Sequence, residues 1–351
     1  MENKRIDELD TFRAFAAIMV VLYHYTTRYE ELIGHIQAYP ININFGYMAV
    51  SMFFILSGFL TAKSIKNENS IIRFLWNRFI RLWPCYIVAM IITSITIYFG
   101  GESFSDKIPS IKQFLINLTM IPNYLGVRPI DGAYWTLAIE LIFYLMASVT
   151  IKFKNKKKIK YFYWAWLVIS IFSNIMLQFG DFKVFRIIKN LLITNYSQLF
   201  IMGILLYNLY EKKDNKKYDI YACMIFCFIN NFIALGVNYT IFCFIEITLL
   251  YLIVVKKVLK MPKWLISKPI KFMAGISYPL YLIHQQFGYV IINKIEMIGL
   301  TNEIFVIIPI IISIIIAYLM NKYIEKPIIL KLKNNKLITK LTNLGGKKCN
   351  T

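Results

Sequence analysis

Charge is scarce in this chain. Asp, Glu, Lys and Arg make up 17% of the 351 residues, where a soluble domain carries about a quarter. Acid is scarcer still: 19 Asp and Glu stand against 40 Lys and Arg, a formal charge of +21. Of the five cysteines, Cys85, Cys223, Cys227, Cys243 and Cys349, Cys223 and Cys227 are i, i+4 on one expected helix, with no partner His or Cys nearby at metal-ligand spacing. Four of them lie in or beside apolar runs, which argues for small core residues rather than a zinc site or a disulfide framework. No metal is expected. No small-residue cleavage site follows the first apolar stretch, so it reads as a retained span rather than a removed leader. No repeat of 20–50 residues is visible. No polar stretch is long enough for an attached soluble domain, the longest loop being about 101–131.

Apolar sequence fills the space that these absences leave. Hydrophobic residues reach 58% and the mean hydropathy is +0.55. A membrane span needs about 20 mostly apolar residues, and ten stretches qualify: roughly 13–30, 46–62, 83–100, 132–151, 161–179, 190–209, 219–235, 239–255, 272–293 and 303–321. The expected fold is therefore an all-α integral membrane protein with about ten transmembrane helices. The connecting segments alternate in charge. One set, comprising the N-terminus, 62–83, 152–160, 211–217, 256–271 and the tail from 322, holds 32 of the 40 Lys and Arg, and the other holds 8. Positive charge marks the cytoplasmic side, so both termini are expected there. The same distribution speaks against nucleic acid, whose site would be scattered over six loops, and for attraction to anionic membrane lipid.

Ionisable groups at bilayer depth are costly, so each is a functional candidate. Arg13 and His24 are eleven residues apart, three helical turns plus about 20°, which puts both on one face about 16 Å apart along the axis. Arg binds phosphate bidentately and keeps its charge, while His exchanges a proton near neutral pH. That face suits a long donor with an anionic head at the cytoplasmic rim and a reactive end at depth. A snorkelling Arg and a His bonded to a neighbouring helix fit the spacing equally. Glu140 lies well inside a span; it suits a carboxylate that orients His24, or an ion pair with an arginine. His284 follows Pro279, which frees a carbonyl and kinks its helix; it suits an acceptor-hydroxyl site or a bond between helices. Arg78 and Arg81, with Arg73 just before, form either positive-inside charge or a second anion clamp, and Pro84 after them opens a span. Ser57-Gly58 suits close helix approach. Glu246 has no recognisable surroundings and reads as structural.

Several of these stretches together resemble the membrane acyltransferase family 3, multi-span enzymes that O-acylate polysaccharides and other extracytoplasmic acceptors. They are LDTFRAFAAIMVVLYHY with its Arg-x10-His, FFILSGFL (53–60), RFIRLWPCY (78–86), WTLAIELIFYL (135–145, with Thr136 for the usual Ser), GISYPLYLIH (275–284) and YIEKP (323–327). The resemblance runs from about residue 8 to 330. It implies an acyl-CoA donor on the cytoplasmic side, usually acetyl-CoA, as co-substrate, with no permanently bound cofactor. It implies His24 as catalytic base, Arg13, Arg78 and Arg81 as donor-binding residues, and Glu140, Tyr278 and His284 around the site. At GYMAVSMFF the family commonly has an acidic residue where Ser51 stands, so that carboxylate is lost or moved.

The expected whole is a membrane acyltransferase domain over 1–330 with a short basic cytoplasmic tail, 331–351. Its expected location is the plasma membrane, its acceptor a cell-surface glycan or lipid-linked precursor, and its associates the envelope polysaccharide-synthesis proteins. Two rivals fit parts of the pattern. A flippase for a lipid-linked glycan would use buried His and Glu, but no paired halves are visible. A polysaccharide polymerase would use Glu102, Asp106, Arg128 and Asp131 of the long loop, and leaves the Arg-x10-His face unexplained.

Overall fold

The computed structural model describes residues 6–333 apart from 38, 41, 154 and 212–216. Most of the expected tail therefore lies outside the described residues, as does Cys349. The described residues form helices and turns with no strand. In chain order the main helices are α1 (Asp7–Tyr23), α2 (Val50–Ile65), α3 (Ile71–Tyr98), α4 (Trp135–Val149), α5 (Lys156–Phe179) and α6 (Lys183–Leu191). They continue with α7 (Ser197–Tyr210), α8 (Lys217–Leu235), α9 (Val237–Leu250), α10 (Lys268–Met297), α11 (Ile307–Met320) and α12 (Lys326–Lys333).

Among the described residues, seven helical stretches are long and apolar enough to cross a membrane. Each of the ten stretches read from hydropathy overlaps a helix, the sixth also taking in the turn 192–196. The three beyond those seven differ for identifiable reasons. The first begins in α1 with Asp7, Glu8, Asp10 and Arg13. The sixth is α7, only 14 residues long, and buried on nearly every side, as expected of a helix that is apolar all round. The ninth is α10, whose 30 residues include His284, Gln285, Gln286 and Glu296 on its buried surface.

Pro84 lies inside a helix rather than at its start. The helix that contains it starts at Ile71, because Ser70 and Glu68 cap it: the Arg73 amide donates to Ser70 Oγ at 3.2 Å, and Glu68 accepts from the Asn69 and Ser70 amides and from the Arg73 guanidinium. A short amphipathic helix, α6, occupies what hydropathy left as a loop.

The chain divides into two compact units. The first takes the described parts of Met1–Val50, Phe79–Ala138 and Trp264–Asn334; the second those of Ser51–Arg78 and Ile139–Lys263. In the first, α10 packs against both α1 and α11, and Tyr25 just past α1 bonds Ser313 of α11 at 2.9 Å. The long 101–131 segment is tied down there: Tyr86 and Trp83 donate to the Asn117 and Leu118 carbonyls at 2.8 and 3.0 Å. Buried Asp131 accepts from the Ala133 and Gln286 amides at 2.8 and 2.9 Å.

In the second unit, α2 and α7 cross at two glycines. A Cβ on Gly58 would lie 2.1 Å from the Phe200 carbonyl oxygen, and one on Gly203 would lie 2.0 Å from that of Ile55. The Ser57-Gly58 reading of close approach is thus met by a second small residue on the facing helix. Beside it, Phe143 stacks on Phe200 at 4.0 Å. A polar seam of Asn174, Thr194, Gln198, Asn230 and Asn231 bonds α5, α8 and the start of α7 together.

Candidate active site

Between Arg13 and Tyr23 the α-helix is unbroken, so the eleven-residue spacing does place Arg13 and His24 on one face. Ala14, Ala16 and Ala17 are buried and let α1 lie close along α10. At His24 the winding changes: His24–Arg28 is a π-helical turn, a distortion frequent at functional sites.

The His24 ring is held from one side. Its Nδ1 lies 2.9 Å from the Val20 carbonyl oxygen and 3.2 Å from Nε2 of His284. His284, fully buried, places its own Nδ1 2.7 Å from the Tyr281 carbonyl oxygen. A carbonyl only accepts, so His284 carries its proton on Nδ1 and presents a bare Nε2. His24 then carries its proton on Nδ1, shared between the Val20 carbonyl and His284. His24 Nε2 is left with its lone pair, and no described residue bonds it. The rings meet edge to face, 4.7 Å between centroids at 82°, with Tyr23 and Tyr289 beside His24 at 5.1 and 6.4 Å.

Towards the other end of α1, Arg13 pairs with Asp10 at 3.5 Å, and Arg13, Arg81 and Lys326 all act electrostatically on Glu325. Glu325 accepts from Asn321 Nδ2 at 2.7 Å, and the same nitrogen donates to the Gly275 carbonyl at 3.1 Å. Gly275 is four residues before Pro279, so proline's missing N–H leaves that carbonyl without its helical donor, and Asn321 replaces it. Tyr278 donates to the Leu82 carbonyl at 2.8 Å, one residue past Arg81.

In the second unit, Glu140 Oε1 accepts from Ser57 at 2.9 Å and from Tyr144. The Arg78 guanidinium lies over the Tyr144 and Phe74 rings, 4.9 and 5.1 Å from their centroids. Glu246 takes the Ser51 hydroxyl at 2.5 Å, so a carboxyl group does stand at Ser51, supplied by α9.

The expected residues thus gather into three groups: His24 with His284, Arg13 with Arg81 around Glu325, and Arg78 with Glu140 through Tyr144. Sequence reasoning missed Asn321 and Glu325, for which the freed carbonyl before Pro279 was the available signal. It also missed His35 and Glu296, which pair at 2.6 Å with both side chains buried. The other ring nitrogen of His35 faces the Tyr25 carbonyl at 3.2 Å, and Tyr39 donates to the same Glu296 oxygen at 3.2 Å. Among the described residues no group of three His, Cys, Asp or Glu could hold a metal ion.

A family model described as an acyltransferase domain, acyltransferase family 3, matches residues 6–322. The chain belongs to this acyltransferase family. Among curated relatives, it is 25% identical over 170 residues to the acyltransferase MdmB of Streptomyces mycarofaciens, covering 46% of this chain and 43% of that protein. It is 30% identical over 162 residues to an O-acetyl transferase of Shigella phage Sf6, covering 42% of this chain and 47% of that one. With a putative acetyltransferase of Acidianus two-tailed virus it shares 21% over 301 residues, 81% of this chain and 84% of the other. The chain spans under half the length of the first two of these relatives. No solved structure matches it.

Proposed function

We propose that the acyltransferase is an O-acetyltransferase of the plasma membrane, with about ten spans and both termini cytoplasmic, that moves an acetyl group from cytoplasmic acetyl-CoA to a hydroxyl of a cell-surface glycan or its lipid-linked precursor. The observation that carries this reading is the single open lone pair at His24 Nε2, on the same helix face as Arg13. Arg13 and Arg81 take the donor's phosphates, and both act electrostatically on Glu325. Arg78 remains a third donor-binding residue.

Chemically, His24 Nε2 accepts the proton of the acceptor hydroxyl as its oxygen attacks the thioester carbonyl carbon. The C–S bond then breaks, the thiolate takes the proton back from Nε2, and an ester and free CoA leave. The orienting role that the sequence suggested for Glu140 belongs, in this proposal, to His284, the direct neighbour of His24. Glu140 acts instead on Tyr144, which lies under the Arg78 guanidinium. Tyr278 supports the helix turn beside Arg81, and the acceptor is bound by residues outward of His24.

The test is release of CoA by the purified protein in lipid, given acetyl-CoA and a membrane glycan extract, wild type beside His24→Ala. Release by wild type alone supports the assignment. Equal release by both would remove His24 from the reaction, and no release with acetyl- or succinyl-CoA would favour a transport role for this face.

A further inference from the structure

The amphipathic helix α6 and the turn before it hold a feature that acyl transfer does not use. At 100° per residue, Val184, Ile187, Ile188 and Leu191 fall within one arc, and Lys183, Arg186, Lys189 and Asn190 fill the opposite one. None of the nine residues of α6 is buried. Val184, Ile187 and Leu191 are 64%, 48% and 61% exposed, and Phe179 just before is 78% exposed.

The helix is nonetheless fixed in place. Phe185 packs edge to face on Phe172 of α5 at 5.5 Å, Ser173 donates to the Phe185 carbonyl at 3.3 Å, and Trp166 donates to the Leu192 carbonyl at 2.8 Å. Such a helix, anchored to a long apolar helix and displaying an apolar arc, belongs in the interfacial plane of a bilayer.

Between the end of α5 and α6 lies an open cavity of 390 Å³, lined among others by Gln178, Phe179, Asp181, Arg186 and Lys189. Asp181 pairs with Arg186 at 3.4 Å, both well exposed, so two cations face one carboxylate and the cavity keeps a net positive charge. A cavity with surplus cations, bordered by an exposed aromatic and opening beside an interfacial helix, has the makeup of a lipid headgroup site.

We infer that this corner binds an anionic phospholipid of the surrounding bilayer, its phosphate held by Arg186 and Lys189 and its chains lying against Phe179 and the apolar arc of α6. The site is independent of the transfer reaction.

The test uses the full-length protein. Bound lipid is counted by native mass spectrometry after titration with phosphatidylglycerol or phosphatidylcholine, for wild type and for the Arg186→Gln/Lys189→Gln variant. A membrane-surface cation contributes enough that removing two should lower phosphatidylglycerol retention about tenfold while Asp181 remains. Phosphatidylcholine retention should not change. Arg186 is exposed and Lys189 half-buried, and an unchanged melting temperature verifies the fold. Glycerol phosphate, the headgroup without chains, should not displace the lipid. A Trp placed by Val184→Trp should be quenched by brominated lipid. Equal phosphatidylglycerol retention by the two proteins, displacement by glycerol phosphate at comparable concentration, or an unquenched Trp would each overturn the inference.

Discussion

Replacing His284 separates positioning from chemistry. In the wild type the proton on His24 Nδ1 has two acceptors, the Val20 carbonyl at 2.9 Å and His284 Nε2 at 3.2 Å. His284→Leu removes the second and leaves the first, at similar side-chain volume. One intramolecular hydrogen bond is worth about 0.5–1.5 kcal/mol net, so kcat should fall about 2- to 12-fold, because the Val20 carbonyl still keeps the proton on Nδ1. Loss of a general base itself costs about 10²–10⁴, the range expected for His24→Ala. His284→Gln restores an acceptor oxygen and should recover most of the rate. Since His284 is fully buried, KM for donor and acceptor should stay unchanged in both variants. The assay is steady-state CoA release with each substrate varied in turn. If His284→Leu were as inactive as His24→Ala, or if it raised KM for the acceptor at constant kcat, His284 would be holding substrate and the tautomer argument would fail.

Three further outcomes follow from the geometry. Gly203→Ala puts a Cβ 2.0 Å from the Ile55 carbonyl oxygen; backbone cannot yield as a side chain does, so the cost should reach about 3 kcal/mol, and an unchanged unfolding midpoint in detergent would refute the crossing. Arg13→Ala should raise KM for the CoA donor with little change in kcat, and a pure kcat loss would place Arg13 outside donor binding. Burial raises the Asp131 carboxyl to about 7, against which its two amide donors work. A raised folded-state pKa means its contribution is full below about 4 and is lost as pH rises through about 7. The melting-temperature difference between wild type and Asp131→Asn should therefore change across that window, and a constant difference would show that Asp131 does not titrate there.

The ten apolar stretches all overlap helices because burying about 20 apolar residues is a local requirement. Hydropathy did not report where α3 starts, because the deciding groups are the caps Ser70 and Glu68 rather than apolar content. It passed over α6, whose nine residues are too short to span although their 184, 187, 188, 191 stripe is plain in the sequence. The Arg13–His24 face was legible because one helix carries both residues. The His24–His284 contact joins positions 260 apart, and no local pattern reports which helices pack together. For the same reason Ser57-Gly58 announced a close crossing but not Gly203, and Ser51 announced a missing carboxylate but not that Glu246 would supply one.

The bond from Asn321 to the Gly275 carbonyl makes two distant positions mutationally interdependent. Asn321 supplies the donor that Pro279 lacks. With Pro279 present, Asn321→Leu strands a carbonyl; with Pro279→Ala, the alanine amide takes that carbonyl and the same change should cost far less. Pro279→Ala alone would in turn release Asn321 from one of its two acceptors and leave it to Glu325. A chain of this kind can lose both residues together more easily than either one alone, so substitutions at 279 and 321 should be inherited as a pair.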